Sequence, residues 1–226
     1  MVWCDTYGRL AGISKAMVVF LAFSSAAQAD RVDILALGDS LTAGYGLMDH
    51  EGFVPQLRDW LGARGHDVRI VNAGVSGDTT AGGLSRVEWS LSPEIDAMIV
   101  TLGGNDMLRG LAPELARANI DGILKVAQER DLQVLLVGMV APSNYGPDYK
   151  AAFDALYPEL AQTYGTVFFP SFFQGLTENG EMPGDVTDFM QDDGIHPNQR
   201  GVARIVDAIG PSVEELIARV EAAQGS

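Results

Sequence analysis

A hydroxyl, an imidazole and a carboxylate that could form a proton-transfer chain stand far apart in this sequence. Ser40 lies in Gly38-Asp39-Ser40-Leu41, and Asp193 and His196 lie in Asp192-Asp193-Gly194-Ile195-His196-Pro197. A serine hydroxyl is a poor nucleophile until a neighbouring imidazole takes its proton. That imidazole in turn needs a carboxylate to fix its tautomer and stabilise its cation. The order serine, aspartate, histidine is one of several that unrelated folds use for the same geometry. Attack on a carbonyl also needs N–H donors aimed at the developing oxyanion. Three groups qualify: the backbone N–H of Ser40, that of Gly77 in Gly74-Val75-Ser76-Gly77-Asp78, and the side-chain amide of Asn105 in Gly103-Gly104-Asn105-Asp106. Gly77 lets the backbone approach a substrate because no side chain intervenes. Each such donor is typically worth about 3 kcal/mol of transition-state stabilisation.

Taken singly, these segments have plainer readings. Ser40 could cap a helix, Gly77 and Asn105 could serve turns, and His196 could satisfy a loop carbonyl. The choice of base is narrow, since His50, His66 and His196 are the only histidines. His66, in Arg64-Gly65-His66-Asp67, precedes a strand and falls at the edge of the sheet opposite the other candidates. His50, in Asp49-His50-Glu51, reads as part of a solvated loop. His196 therefore takes the role of base.

The elements that must carry these residues alternate regularly. Apolar, β-branched runs at Val32–Leu37, Val68–Ala73, Ala97–Leu102, Val134–Met139 and Val167–Phe169 read as parallel strands buried on both faces. Helical periodicity appears around 54–64, 79–90, 113–130 and 149–164, where Phe153, Leu156, Leu160 and Tyr164 form one apolar stripe. An irregular stretch from Leu176 to Pro197 leads to a C-terminal helical segment from about Asn198. Gly210-Pro211 is expected to interrupt that segment, and Ser212-x-x-Glu215 to restart it as a capping box. The pattern predicts a three-layer α/β/α domain of α/β class. In such sheets, ligands bind beyond the carboxyl ends of the strands. The turns at Ser40, Gly77 and Asn105 follow the first three strands, so all three should meet there.

Residues 1–29 read as a secretory signal peptide. Arg9 and Lys15 precede the apolar run Ala16 to Phe23, and Ala27-Gln28-Ala29 offers a cleavage site before Asp30. The run is too short to span a bilayer, which takes about 20 residues. The mature chain, 30–226, suits a single domain, and no stable membrane insertion is expected after cleavage. The one cysteine, Cys4, falls in the signal, so no disulfide, thiolate metal site or cysteine nucleophile is expected. A net charge of −15 argues against nucleic acid and anionic membranes as partners. Neither a Gly-x-Ser-x-Gly elbow, a phosphate-binding loop nor a complete G-x-G-x-x-G occurs, so phosphoryl and dinucleotide chemistry have no support.

With these motifs in order, the chain resembles the SGNH hydrolases, also called GDSL lipases or esterases. Ser40 in GDSL, Gly77 in VSGD, Asn105 in LGGND and His196 in DGIHP supply the four blocks, with Asp193 three residues before the histidine. GDSLTAGYG, VNAGVSGDTTAGGLSR, GGNDMLRGL, NYGPDY and MQDDGIHPN carry the likeness across nearly the whole mature chain. It is strongest to the bacterial periplasmic branch of acyl-CoA thioesterase I, protease I and lysophospholipase L1 and to arylesterases. The resemblance implies a flavodoxin-like sheet of five parallel strands, no metal and no organic cofactor. It also implies a segment, Met107 to Ala112, that moves as acyl chains bind.

The function expected is an exported serine hydrolase of carboxylic esters or thioesters, of lysophospholipase, arylesterase or thioesterase type, acting through an acyl-enzyme. Export argues against acyl-CoA as the natural substrate and favours a small acyl ester or a lipid. Leu108, Leu111, Tyr145 and Tyr149 are candidates to line an acyl pocket, with ordinary packing as the competing reading. Deacetylation of a carbohydrate on the same framework is the alternative enzyme reading, and a noncatalytic binding protein is the alternative from another class.

Overall fold

The first strand, β1 (Val32–Gly38), is buried along its whole length, because both of its faces are covered by helices. The computed structural model describes residues 1–3, 31–177 and 187–225. The expected signal segment, with Cys4, lies outside the described residues from residue 4 to residue 30. The remaining strands are β2 (Val68–Gly74), β3 (Ala97–Thr101), β4 (Gln133–Val137) and β5 (Val167–Phe169). All are parallel, in the order β2-β1-β3-β4-β5. The flavodoxin-like sheet of the sequence reading is therefore present. Its direction of winding reverses between β1 and β3, the place where such sheets open a crevice at their carboxyl ends.

The helices are α1 (Ser40–Ala43), α2 (Phe53–Gly62), α3 (Thr80–Ser90), α4 (Gly104–Leu108), α5 (Pro113–Glu129), α6 (Pro147–Tyr164) and α7 (Gln199–Gln224). On one face α2 packs with α7; on the other α5 packs with both α3 and α6. The core joins β1, β3 and β4 to inward stripes such as Ile120, Ile123 and Leu124 of α5 and Ile205, Ile209 and Val213 of α7. Among the described residues, no helix is long and apolar enough to cross a membrane.

Two details depart from the sequence reading. β2 is not buried on both faces: only Ile70 is fully buried, while Arg69 and Asn72 are exposed. It is an edge strand, and Val68, Val71, Ala73 and Gly74 are only partly covered. More substantially, Pro211 does not interrupt the C-terminal helix, and Ser212 with Glu215 does not restart one, because α7 runs unbroken through both. Proline inside a helix costs about 3 kcal/mol through the lost N–H and the clash with the preceding turn. Here the buried stripe continues on both sides of it, through Val206, Ile209, Val213, Leu216, Ile217 and Val220. Each fully buried aliphatic side chain stabilises by about 1.5–3 kcal/mol, so packing outweighs the local penalty. Trp60 of α2 closes over Gly210, where an added Cβ would lie 2.5 Å from its ring, and donates from Nε1 to Asp207 at 2.9 Å.

Candidate active site

Ser40 begins α1 directly beyond the carboxyl end of β1, in a turn organised by the residue before it. Asp39 is 2% exposed and accepts at Oδ1 from the Leu41 backbone N–H at 3.0 Å, capping the short helix. This turn aims Ser40 at the loop before α7. There His196 Nε2 lies 2.8 Å from Ser40 Oγ, and His196 Nδ1 lies 2.6 Å from Asp193 Oδ2. Three side chains separated by up to 156 positions thus form one hydrogen-bonded chain. With Nδ1–H donated to the carboxylate, Nε2 is left as the acceptor for the serine proton.

Asp193 is built to stay ionised. Backbone donation from His196, the His196 ring and the Ile195 N–H together lower its pKa to about 2. Its Oδ1 accepts those two backbone bonds at 3.0 and 2.9 Å, so the carboxylate also shapes the loop that bears the base. The loop closes through a Met190–Pro197 bridge and a bond from Gln191 N–H to the His196 carbonyl at 2.8 Å. Asn198 caps α7 immediately afterwards, accepting from the backbone of Arg200 and Gly201. The ring of Tyr45 rests 4.7 Å from that of His196, centroid to centroid, tilted by 39°.

Asn105 lies in the first turn of α4, beyond β3, and donates from Nδ2 to Asp39 Oδ2 at 3.2 Å. Gly77 lies in the exposed turn after β2 with φ +83°, a left-handed conformation natural only to glycine. Its carbonyl accepts from Arg109 Nη2 at 2.8 Å, which ties the β2 turn to the end of α4. The turns that carry the expected oxyanion donors therefore follow the three neighbouring strands β2, β1 and β3. Gly103, with φ +117°, has the hydroxyl of buried Tyr157 where a Cβ would stand, so the turn into α4 needs glycine for both reasons.

The four proposed pocket residues also meet, though as a clamp. Tyr145 donates its hydroxyl to the carbonyl of Leu108 at 3.2 Å, and Tyr149 to that of Leu111 at 3.0 Å. Tyr145, Tyr149, Phe153 and Tyr157 form a continuous aromatic row beneath that segment. His66 pairs with Glu214 at the amino edge of the sheet, and His50 is exposed, so neither competes with His196. No group of three or more metal-ligating side chains occurs among the described residues.

The GDSL-like lipase/acylhydrolase family matches residues 36–204. This chain belongs to that family. Family membership makes it an enzyme of ester hydrolysis. It is 38% identical over 201 residues to esterase TesA of Pseudomonas aeruginosa, covering 88% of this chain and 94% of that protein. It is 34% identical over 201 residues to thioesterase 1/protease 1/lysophospholipase L1 of Escherichia coli K12, covering 88% of this chain and 90% of that one. Among solved structures it is similar to AlinE4, an SGNH-hydrolase family esterase, with a TM-score of 0.67 and 43% identity, over 82% of this chain and 96% of that one.

Several residues that shape the site escaped the sequence reading. Asp39 could have been noticed, as a carboxylate beside the candidate nucleophile at the end of a buried strand. Arg86 of α3 gives no such signal. Its Nη2 donates to the Gly38 carbonyl at 2.9 Å, its Nη1 to the Ala73 carbonyl at 2.8 Å and its Nε to Asp78 at 2.7 Å, joining the ends of β1 and β2. Gln191, through bonds from Nε2 to the carbonyls of Tyr45 and Pro197, ties the histidine loop to the turn beyond α1.

Proposed function

We propose that the protein is an exported serine esterase in which Ser40 is the nucleophile, His196 the general base and acid, and Asp193 the orienting carboxylate. The observation that carries this reading is the unbroken chain of 2.8 and 2.6 Å contacts from Ser40 Oγ through His196 to Asp193 at the carboxyl edge of the sheet. His196 Nε2 takes the Ser40 proton as Oγ attacks the carbonyl carbon. The tetrahedral oxyanion is met by the backbone N–H groups of Ser40 and Gly77 and by Asn105 Nδ2. His196 then gives its proton to the departing alcohol or thiol, and water, activated by the same imidazole, releases the acid from Oγ. Asp193, whose carboxyl pKa is held at about 2, supplies the negative charge beside the imidazolium at every neutral pH.

Residues 1–29 are proposed to direct export and to be removed, leaving 30–226 as the working enzyme. Outside the cytoplasm, neutral short-chain, aryl and lysophospholipid esters are the favoured substrates, and the net charge of −15 disfavours polyanionic ones at long range. Leu108, Leu111 and Tyr145 are proposed to contact the acyl chain. The test is Ser40→Ala, assayed with p-nitrophenyl esters of graded chain length. Loss of about 10⁴-fold or more in kcat is expected. A folded variant that retains the wild-type rate overturns the assignment.

A further inference from the structure

We propose that Asp39 is a positioning residue of the reaction: its carboxylate orients the Asn105 amide so that nitrogen, not oxygen, faces the oxyanion. The inference rests on the reading of Asn105 as an oxyanion donor. It concerns the residue preceding the nucleophile, which takes no part in the proton chain just described.

Both oxygens of Asp39 are committed, Oδ1 to the Leu41 N–H at 3.0 Å and Oδ2 to Asn105 Nδ2 at 3.2 Å. At 2% exposure the side chain has almost no access to water as an alternative partner. A side-chain amide presents a donating end and an accepting end of nearly the same shape, so something must choose between them. An ionised carboxylate only accepts, and therefore admits only the NH₂ end. With one N–H of Asn105 held by Asp39, the second N–H of the same nitrogen remains for substrate. Reversal of the amide would aim a carbonyl oxygen at a developing negative charge.

Two further observations favour this role over helix capping alone. Serine, threonine or asparagine caps a helix without a charge, yet here a carboxylate is kept in a site where burial raises its pKa to about 6. The groups that face it electrostatically are His196, which favours its ionised form, and Asp78, which opposes it. In addition, Gly104 leaves the approach between Asp39 and α4 open, since a Cβ there would lie 3.2 Å from Asp39 Oδ2.

The experiment is a double-mutant cycle on the purified protein with p-nitrophenyl butyrate: Asp39→Asn, Asn105→Ala and the two combined. Asparagine at 39 can still cap Leu41 through its own oxygen, but it turns an NH₂ group toward Asn105. The single variants are each expected to lose about 10²-fold or more in kcat, with KM little changed. The combined variant should be no slower than Asn105→Ala, because one donor cannot be lost twice. Asp39→Ser, which can cap α1 but is too short to reach Asn105, should behave like Asp39→Asn and stands in for it should that variant misfold. Asp39 variants at the wild-type kcat, or losses that multiply in the combined variant, overturn the coupling while leaving the oxyanion reading intact. Asn105→Ala at the wild-type rate overturns both.

Discussion

The two sides of the site are held by different means. The turns bearing Ser40, Gly77 and Asn105 are joined to one another and to the sheet by buried and half-buried polar contacts, although Gly77 itself is exposed. Asp39 binds Asn105, Arg86 binds the carbonyls of Gly38 and Ala73, and Asp106, 1% exposed, accepts from the backbone and hydroxyl of Thr80 at 2.8 and 2.6 Å. The loop bearing Asp193 and His196 is held mainly by bonds within itself and by the cap of α7, and the Asp193 side chain is 37% exposed. Groups that must meet a transition state with fixed geometry are embedded in the sheet edge, while the proton-handling pair rides on a surface loop. Stability and catalysis should therefore separate across the site. Substituting Asp193 or His196 should harm rate far more than stability, whereas replacing the buried side chains that brace the turns should also change stability markedly.

The largest effect expected is on the loop side. Asp193→Asn should lower kcat by about 10⁴-fold through loss of the tautomer and of the stabilising charge. Its unfolding free energy at neutral pH should fall by only about 1 kcal/mol, because asparagine's oxygen still accepts the Ile195 and His196 N–H bonds and water screens the partly exposed charge that is lost. A large loss of stability would erase the distinction between the two sides. Next comes Arg86→Met, which leaves Asp78 and two carbonyls without their donor. An unfolding free energy lower by roughly 3 kcal/mol is expected in urea titrations, and a loss well under 1 kcal/mol would show that Arg86 does not brace these turns.

Asp39→Asn sharpens the contrast further, because it should raise stability while lowering rate. The Asp39 pKa, raised by burial from 3.8 to about 6, means that the folded protein takes up this proton before the unfolded chain does. The charge thus destabilises the fold above about pH 6, by on the order of 3 kcal/mol, and the penalty fades as pH falls from about 6 towards 4. The melting temperature of Asp39→Asn should exceed that of wild type at pH 8, with the gap narrowing at pH 5. A gap that widens on acidification contradicts the buried charge. The smallest effect is Gln191→Ala, which removes the bonds to Tyr45 and Pro197 and should cost about 1 kcal/mol. Faster amide exchange confined to residues 190–197 is the expected readout.

Much of the architecture was legible because its signals are local. β1, β3 and β4 announce themselves as continuous apolar runs, α5 and α6 as periodic stripes, and the three glycine-rich turns as breaks between them. The exceptions arise where a distant element overrides a local signal. Pro211 marks a break by every rule of chain chemistry, yet the apolar stripe on both sides of it docks on the sheet and Trp60 packs on Gly210, so the helix continues. Val68, Val71 and Ala73 look like core but are only partly buried, because among the described residues no strand lies beyond β2.

By itself the sequence determined the inventory of the site: one credible base in His196, a carboxylate three residues before it, a serine at the end of a buried strand, and glycine and asparagine in the following turns. Residue type and position along an element are enough for that, since they depend on the reactivity of side chains and on the direction of a parallel sheet. Only the tertiary structure decided that Asp39 faces Asn105, that Arg86 spans two strand ends and that Gln191 fastens the histidine loop to Tyr45. Those contacts join residues 66, 48 and 146 positions apart, respectively. No local rule encodes them, because the partners become neighbours only after the sheet order and the packing of α3, α4 and α7 have brought their turns to one edge.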